Sequence, residues 1–211
     1  DGSEDAPVAS FPAALSKLAA GGTICLASDM TVTDTLTIPQ GTEFTLDLSG
    51  KTLTLSGSGA RRICNYGVLT VIASSGGSVT NSDTGSYGFI DNYGTLSIES
   101  CNFIDIASGD GATVKNRPGG TLNISGGYFE GVSTADQTTG NTRVASDGTL
   151  NITGGSFYTK SSRNPSIKVI SGTAYISDAD IQTQRGVGIE VNEATATLDR
   201  NQISVLESNG Y

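Results

Sequence analysis

Short runs of alternating apolar and polar residues fill most of the chain, and the same run recurs several times. Each copy contains Gly-x-Leu-x-Ile or a close variant, as in YGTLSI and DGTLNI. The glycines of these copies are Gly67, Gly94, Gly120, Gly148 and Gly172, and Ala194 takes the place in a sixth copy. By subtraction, the steps are 27, 26, 28, 24 and 22 residues. A period in the twenties predicts a solenoid, in which each copy forms one coil.

Within each copy the apolar positions are two residues apart. Leucine or alanine stands two residues after the glycine, and isoleucine, valine or leucine stands four residues after it. Polar residues, mostly threonine, serine and asparagine, fill most of the positions between them. Alternation with a period of two, bounded by Gly, Asn or Ser, predicts a short β-strand with one buried face rather than a helix.

Two further strands are predicted in each copy. One leads into the repeat and is marked by Ile63, Ile90, Val114, Val144, Ile167 and Ile189. Another begins nine residues after the glycine, at Phe103, Phe129, Phe157, Ile181 and Ile203. The first copy has Gly76 at this last position, within SSGGS, which predicts a longer turn. A coil this short has no room for the crossover helix of a βαβ unit, so we predict a parallel β-helix.

The N-terminal segment has a different pattern. In SFPAALSKLAAGG the apolar residues Phe11, Leu15 and Leu18 lie at helical spacing before Gly21 and Gly22. A helix over 11–20 would cover the exposed strand edges at the start of the stack. We therefore predict one domain, with a capping segment at 1–20, first irregular coils at 21–62 and regular coils at 63–211.

From Gly21 onward the sequence resembles the right-handed parallel β-helix proteins of the pectate-lyase-like superfamily. The segment LTIPQGTEFTLDLSGKTLTLSG, followed by units such as NYGTLSI, is most similar to repeat-built surface proteins of bacteria and their phages. The resemblance implies an all-β, right-handed, single-stranded parallel β-helix with about 22–28 residues per coil and an N-terminal α-helical cap. It specifies activity poorly, because this superfamily includes lyases, hydrolases, adhesins and tail spikes.

Asparagines recur at a bend shortly before the repeated glycine. They are Asn65, Asn92 and Asn116, and we assign Ser146, Ile170 and Asn192 to the same place in later copies. Asparagine tolerates left-handed backbone and forms hydrogen bonds along a ladder of equivalent residues. We interpret these asparagines as a structural ladder rather than as a ligand site.

Charge and composition exclude some partners. The formal net charge is −9, and the basic residues are scattered, so nucleic-acid binding is not expected. No stretch approaches the ~20 apolar residues that cross a bilayer, so no membrane insertion is predicted. The start at Asp1 suggests a mature or excised segment, and we expect an extracellular protein. Three cysteines without CxxC spacing, Cys25, Cys64 and Cys101, indicate neither a disulfide framework nor a zinc site.

Catalytic chemistry has few candidates in this sequence. The chain has no histidine, which excludes Ser-His-Asp and Cys-His catalysis and any histidine-ligated metal. The resemblance to β-helix lyases, which hold Ca²⁺ with clustered aspartates, leaves Asp91, Lys115 and Arg117 as an alternative catalytic set. We expect Asp91 and Lys115 to lie on adjacent coils, where a surface ion pair is the competing interpretation. We predict no cofactor and no metal site.

Two binding hypotheses come from residues that point outward. Tyr66 and Tyr93 occupy the same place in consecutive coils and should stack, with Arg117 in the next coil; this arrangement suits the flat face of a sugar. The stacked threonines of the repeat suggest ice binding as a third function, although β propensity also explains them.

The sequence therefore predicts a non-catalytic extracellular surface or virion protein that assembles with partners or binds glycans. A polysaccharide-degrading enzyme is the alternative. The last coil, which ends near Leu206, shows no second capping helix. We expect its strand edges to be covered by a protein partner or a further domain.

Overall fold

The computed structural model describes residues 2–3, 5–56, 62–81, 88–106, 111–131, 142–160, 164–184 and 186–206. It contains one short helix, α1 (Phe11–Lys17), and 21 strands that form three walls of a solenoid. Every pairing between strands is parallel, and each strand pairs with its equivalent in the next coil. The predicted all-β parallel β-helix is therefore confirmed.

The leucine wall carries the Gly-x-Leu-x-Ile pattern. Its strands are β1 (Gly22–Cys25), β4 (Glu43–Asp47), β7 (Val68–Ile72), β10 (Thr95–Ile98), β13 (Thr121–Ile124), β16 (Thr149–Ile152) and the second parts of β18 (Ile167–Ser177) and β20 (Ile189–Asp199).

The lead-in wall precedes it in each coil. Its strands are β3 (Leu36–Ile38), β6 (Ile63–Asn65), β9 (Ile90–Asn92), β12 (Ala112–Asn116), β15 (Thr142–Ser146) and the first parts of β18 and β20. The leucine and lead-in walls together form a 13-stranded sheet, because β18 and β20 continue from one wall into the other.

The phenylalanine wall is a separate 8-stranded sheet. Its strands are β2 (Met30–Val32), β5 (Thr52–Leu55), β8 (Ser78–Asn81), β11 (Asn102–Asp105), β14 (Tyr128–Gly131), β17 (Ser156–Thr159), β19 (Asp180–Thr183) and β21 (Gln202–Val205).

The register explains why the apolar residues repeat. Leu96 pairs with Leu69 and Leu122, and Ile98 pairs with Val71 and Ile124, so each side chain packs on its own copy. The phenylalanines stack inside the phenylalanine wall. The ring centroids of Phe103 and Phe129 are 5.0 Å apart, and those of Phe129 and Phe157 are 4.8 Å apart. These stacks form the core of the solenoid.

Two positions of the repeat differ from those assigned from the sequence. In the first copy Gly76 lies in a turn with φ of 81°, and Val79 takes the place that Phe103 has in the next coil. The place of the asparagines is taken by Val169 and Val191, not by Ile170 and Asn192. The reason is that β18 and β20 run through the bend as continuous strands of 11 residues.

The first coils follow the same register as the later ones. Phe44 of β4 pairs with Leu69 of β7, and Leu46 pairs with Val71. Strand β3 likewise pairs with β6, and β5 pairs with β8. The strands within 21–62 therefore extend the same three walls toward the N-terminus.

Helix α1 packs at the N-terminal end of the stack. The side chain of Ser10 accepts a hydrogen bond from the amide of Ala13 at the helix start, and Phe11 is buried in the core. The helix ends at Lys17, earlier than its apolar spacing predicted, because Leu18 has extended backbone. The side chain of Leu18 instead lies against Gly22 of β1. The segment covers the first coil, as predicted.

Candidate functional site

Two tyrosines stack at the bend between the lead-in and leucine walls. Tyr66 follows Asn65, and Tyr93 follows Asn92, so both rings lie one residue beyond equivalent strands. The ring centroids are 4.8 Å apart and the planes are 10° from parallel. The Tyr66 side chain is 44% exposed. This tyrosine platform has the stacked geometry that the sequence spacing predicted.

Arg117 extends the platform into the next coil. Its guanidinium carbon lies 6.0 Å from the centroid of the Tyr93 ring. Its Nε donates to Asp91 Oδ1 and its Nη2 donates to Asp91 Oδ2, each at 3.0 Å. Such a two-bond contact fixes the plane of the guanidinium as well as its position.

Asp91, on the preceding coil, holds Arg117 in place. The aspartate is buried, whereas Arg117 is half-buried. Partial burial opposes the charge of Arg117, but the hydrogen bonds and negative charge of Asp91 outweigh it and raise the pKa of Arg117. The arginine is therefore a fixed cation and a poor proton acceptor.

Lys115 is oriented toward a different acid. It is the register neighbour of Asp91, as predicted, but its Nζ lies 2.7 Å from Asp147 Oδ2. Both cations of the alternative catalytic set, Lys115 and Arg117, thus form ion pairs with carboxylates on neighbouring coils. Within the described part of the chain, no group of three or more His, Cys, Asp or Glu could hold a metal ion.

The asparagines beneath the platform form a hydrogen-bonded ladder. Asn65 Nδ2 donates to Asn92 Oδ1 at 2.7 Å, and Asn92 Nδ2 donates to Asn116 Oδ1 at 2.8 Å. Asn116 Nδ2 then donates to Ser146 Oγ at 3.0 Å. All four side chains are buried, so the ladder supports the bend rather than facing a ligand.

Replacing Asn92 with alanine should lower the free energy of unfolding by about 2–3 kcal/mol, because it removes the buried hydrogen bonds that join Asn92 to Asn65 and Asn116. Urea denaturation measures this change. Asn102→Ala, on the exposed side of β11, is the matched control and should have little effect. Equal effects of the two variants would contradict a supporting role for the ladder.

The exposed face of the leucine wall bears on the ice-binding hypothesis. Its threonines stack in register, for example Thr95 on Thr121. The next outward column contains Asn123 and Asn151, joined by a hydrogen bond of 2.9 Å, and then the exposed Tyr175. A groove of about 220 Å³ lies over these asparagines. The face is therefore less regular than a pure threonine array, and ice binding stays a prediction.

One polar cluster inside the solenoid was missed from the sequence. Asp105 accepts hydrogen bonds from Asn81 and Thr113, and Arg143 lies 3.8 Å from it. Asp105 and Arg143 are buried. Period-two alternation was the available signal, since Asp105 lies two residues after the inward Phe103.

A second outward-facing aromatic group, half-buried, was also missed. Tyr128 and Tyr158 lie on the outward face of the phenylalanine wall in neighbouring coils. Lys160 Nζ is 5.7 Å from the centroid of the Tyr158 ring and 3.9 Å from Glu130 Oε1. Burial and the nearby Glu130 raise the pKa of Tyr128. Both tyrosines are adjacent in sequence to inward phenylalanines, and this signal could have identified them.

The cysteines lie in different environments. Cys25 is exposed, and Cys64 and Cys101 are buried. Burial raises the pKa of the Cys101 thiol to about 12, so this thiol stays protonated at neutral pH.

The chain matches no protein-family model, no curated protein and no solved structure. The strand pairing shows the fold of a parallel β-solenoid. Membership of the pectate-lyase-like superfamily stays a prediction from the residues. The described helix is too short to cross a membrane.

Proposed function

We propose that this protein is a non-catalytic, extracellular β-solenoid, a surface or virion structural and adhesion protein that binds glycans on the tyrosine platform. The observation that carries the proposal is the stack of Tyr66 on Tyr93 with Arg117 fixed beside it. Aromatic faces pack against the apolar faces of sugar rings, while a guanidinium donates hydrogen bonds to their oxygens.

The anchoring of Arg117 supports binding in particular. Because the two bonds to Asp91 hold the guanidinium before any ligand arrives, little side-chain entropy is lost on binding. Each stacked ring directly follows an asparagine of the buried ladder, which fixes the backbone from which the ring projects. A preorganised surface of this kind suits a weak, repeated contact with a polysaccharide.

The ion pairs of the alternative catalytic set favour binding over cleavage. A lyase base must accept a proton, and Asp91 raises the pKa of Arg117, which makes this arginine a poor base. Lys115 lies in an ion pair with Asp147. Asp91 serves as the anchor of Arg117, which gives it a structural role in the platform.

A polysaccharide screen that scores binding and cleavage separately tests the proposal. In the double variant Tyr66→Ala, Tyr93→Ala, retention on a bound glycan should fall about tenfold to a hundredfold, because two aromatic faces are worth ~1.5–3 kcal/mol. Tyr175→Ala is the matched control, since it removes an exposed tyrosine from the leucine wall three coils beyond the coil of Tyr93.

Two outcomes would contradict the proposal. Unchanged retention in the double variant would place glycan binding elsewhere. Cleavage that requires Ca²⁺ and disappears in Lys115→Ala would instead establish the lyase alternative.

A further inference from the structure

The tyrosine platform belongs to a longer column of residues that runs along the axis of the solenoid. Equivalent strands of the lead-in wall are each followed by one residue of this column, namely Tyr66, Tyr93, Arg117 and Asp147. Their amides donate to the preceding coil, as the amide of Tyr93 does to the Asn65 carbonyl at 2.8 Å. Adjacent strands lie about 4.8 Å apart, so three steps along the column span about 14 Å. We call these four residues the bend column.

The charged groups at the bend column form two ion pairs. Arg117 donates to both carboxylate oxygens of Asp91, each at 3.0 Å. Lys115, which is partly exposed on the lead-in wall, has its Nζ 2.7 Å from Asp147 Oδ2. Because each cation is matched by a carboxylate, the two pairs together carry no net charge.

This pairing disfavours an anionic ligand. An anion that approaches Arg117 also approaches Asp91, which lies within hydrogen-bond distance of the same guanidinium. The nearby like charge offsets the attraction of the cation, while the anion still loses part of its water shell. The chain as a whole, with a formal net charge of −9, repels a polyanion further.

The groups that remain at the bend column suit uncharged hydroxyl groups. Among the described residues, the hydrogen bonds of Arg117 use Nε and Nη2, which leaves the donors of Nη1 for a ligand oxygen. Tyr66 adds an exposed ring and a phenol hydroxyl that both donates and accepts. A ligand with many hydroxyl groups and no charge matches these donors and acceptors.

We infer that the bend column binds an uncharged polysaccharide, such as a glucan, a galactan or a mannan, in preference to one that carries carboxylate or sulfate groups. The inference rests on the proposed function, since it names the class of glycan that the tyrosine platform takes. The pairing of Arg117 with Asp91 and of Lys115 with Asp147 is the cause of this preference.

Polysaccharides that share a backbone and differ in charge test the inference. Suitable pairs are dextran with dextran sulfate, hydroxyethyl cellulose with carboxymethyl cellulose, and methyl-esterified with de-esterified homogalacturonan. In each pair that binds, calorimetric titration of the unaltered protein should show about tenfold tighter binding of the uncharged member. That affinity should be equal at about 0.01 M and about 0.15 M salt, because binding releases no counterions.

Two variants remove the carboxylate from one ion pair each. Asp91→Asn and Asp147→Asn should each raise the affinity for the charged member about fivefold at about 0.15 M salt, because one cation is no longer matched. Asp147→Asn covers the case in which the buried Asp91 is needed for folding, since Asp147 is partly exposed.

Asp178→Asn is the matched control for these two variants. Asp178 accepts two hydrogen bonds of 2.8 Å from Arg200, so the pair resembles that of Asp91 with Arg117. It lies at the turn between the leucine and phenylalanine walls, away from the bend column. The variant makes the same change in net charge and should leave the preference for the uncharged polysaccharide unaltered.

Several results would overturn the inference, and they separate it from the proposed function. Binding of the charged member as tightly as the uncharged one, lost in Tyr66→Ala with Tyr93→Ala, would refute the preference and retain the platform as a glycan site. An unchanged preference in both Asp91→Asn and Asp147→Asn would refute the ion pairs as its cause. Binding that the double tyrosine variant leaves intact, or no binding of any pair, would refute the proposed function together with the inference.

Discussion

Replacing Asp105 with alanine is expected to lower the free energy of unfolding by about 3–5 kcal/mol, one of the two largest effects we expect in this protein. Asp105 is fully buried and accepts hydrogen bonds of 3.0 Å from Asn81 and 2.7 Å from Thr113. Its removal takes away one of the two carboxylates, Asp105 and Glu130, whose attraction opposes the effect of burial on Arg143.

Arg143 is the reason that the effect is large. Burial lowers its pKa to about 10, and the attraction of Asp105 and Glu130 opposes that change, so the guanidinium is still charged at neutral pH. Its place depends on Gly131, since a Cβ there would lie 2.3 Å from the Arg143 Cζ. The guanidinium of Arg143 therefore fills the interior space beside Gly131, and in the neighbouring coils the residues at the register position of Gly131 carry side chains.

Urea denaturation at neutral pH measures the effect of Asp105→Ala. Glu190→Ala is the matched control, because Glu190 pairs with Lys168 at the partly exposed surface and its loss should leave the midpoint nearly unchanged. The double variant Asp105→Leu, Arg143→Met should recover part of the stability, since it removes the buried cation as well, while Asn81 and Thr113 still lose the acceptor that Asp105 provides. A single variant as stable as the control would contradict a compensated buried charge.

Replacing Gly94 with alanine is the second change with a large expected effect. A Cβ at this position would lie 2.1 Å from the carbonyl oxygen of Gly67 in the preceding coil. That oxygen accepts the hydrogen bond of the Thr95 amide, so it is fixed within the sheet. Because the added Cβ is fixed by the backbone and meets a backbone oxygen, no side-chain rotation can relieve the collision, and the variant should lose about 3 kcal/mol of stability or more.

Thermal unfolding of Gly94→Ala beside Thr95→Ala tests this interpretation. The threonine side chain points outward from β10, so its removal should cost much less than the added methyl. The same close approach occurs at Gly148, where a Cβ would lie 2.4 Å from the Gly120 oxygen. A tolerated alanine at Gly94 would show that the coils can separate locally without cost.

The repeat in the sequence determined the fold of this protein. In a solenoid the neighbour of each residue is its own copy in the next coil, so a period in the twenties specifies strand pairing and register together. This is why Leu96 was predicted to meet Leu69 and Leu122, and why the stack of Tyr66 on Tyr93 followed from spacing alone.

The tertiary structure decided which charges pair. Lys115 and Asp91 are register neighbours, yet Arg117 holds Asp91 in two hydrogen bonds and Lys115 lies against Asp147. Long side chains reach across coils and around bends, so their partners depend on rotamers and local backbone rather than on spacing.

The tertiary structure also decided the places where the period is broken. Strands β18 and β20 run continuously through the bend of earlier coils, and there Val169 and Val191 take the asparagine position. Arg143 enters the interior because Gly131 leaves room for it, a complementarity between two coils that neither stretch of sequence shows alone. Repetition thus specifies contacts between equivalent residues, and only the packed coils specify contacts between residues that are not equivalent.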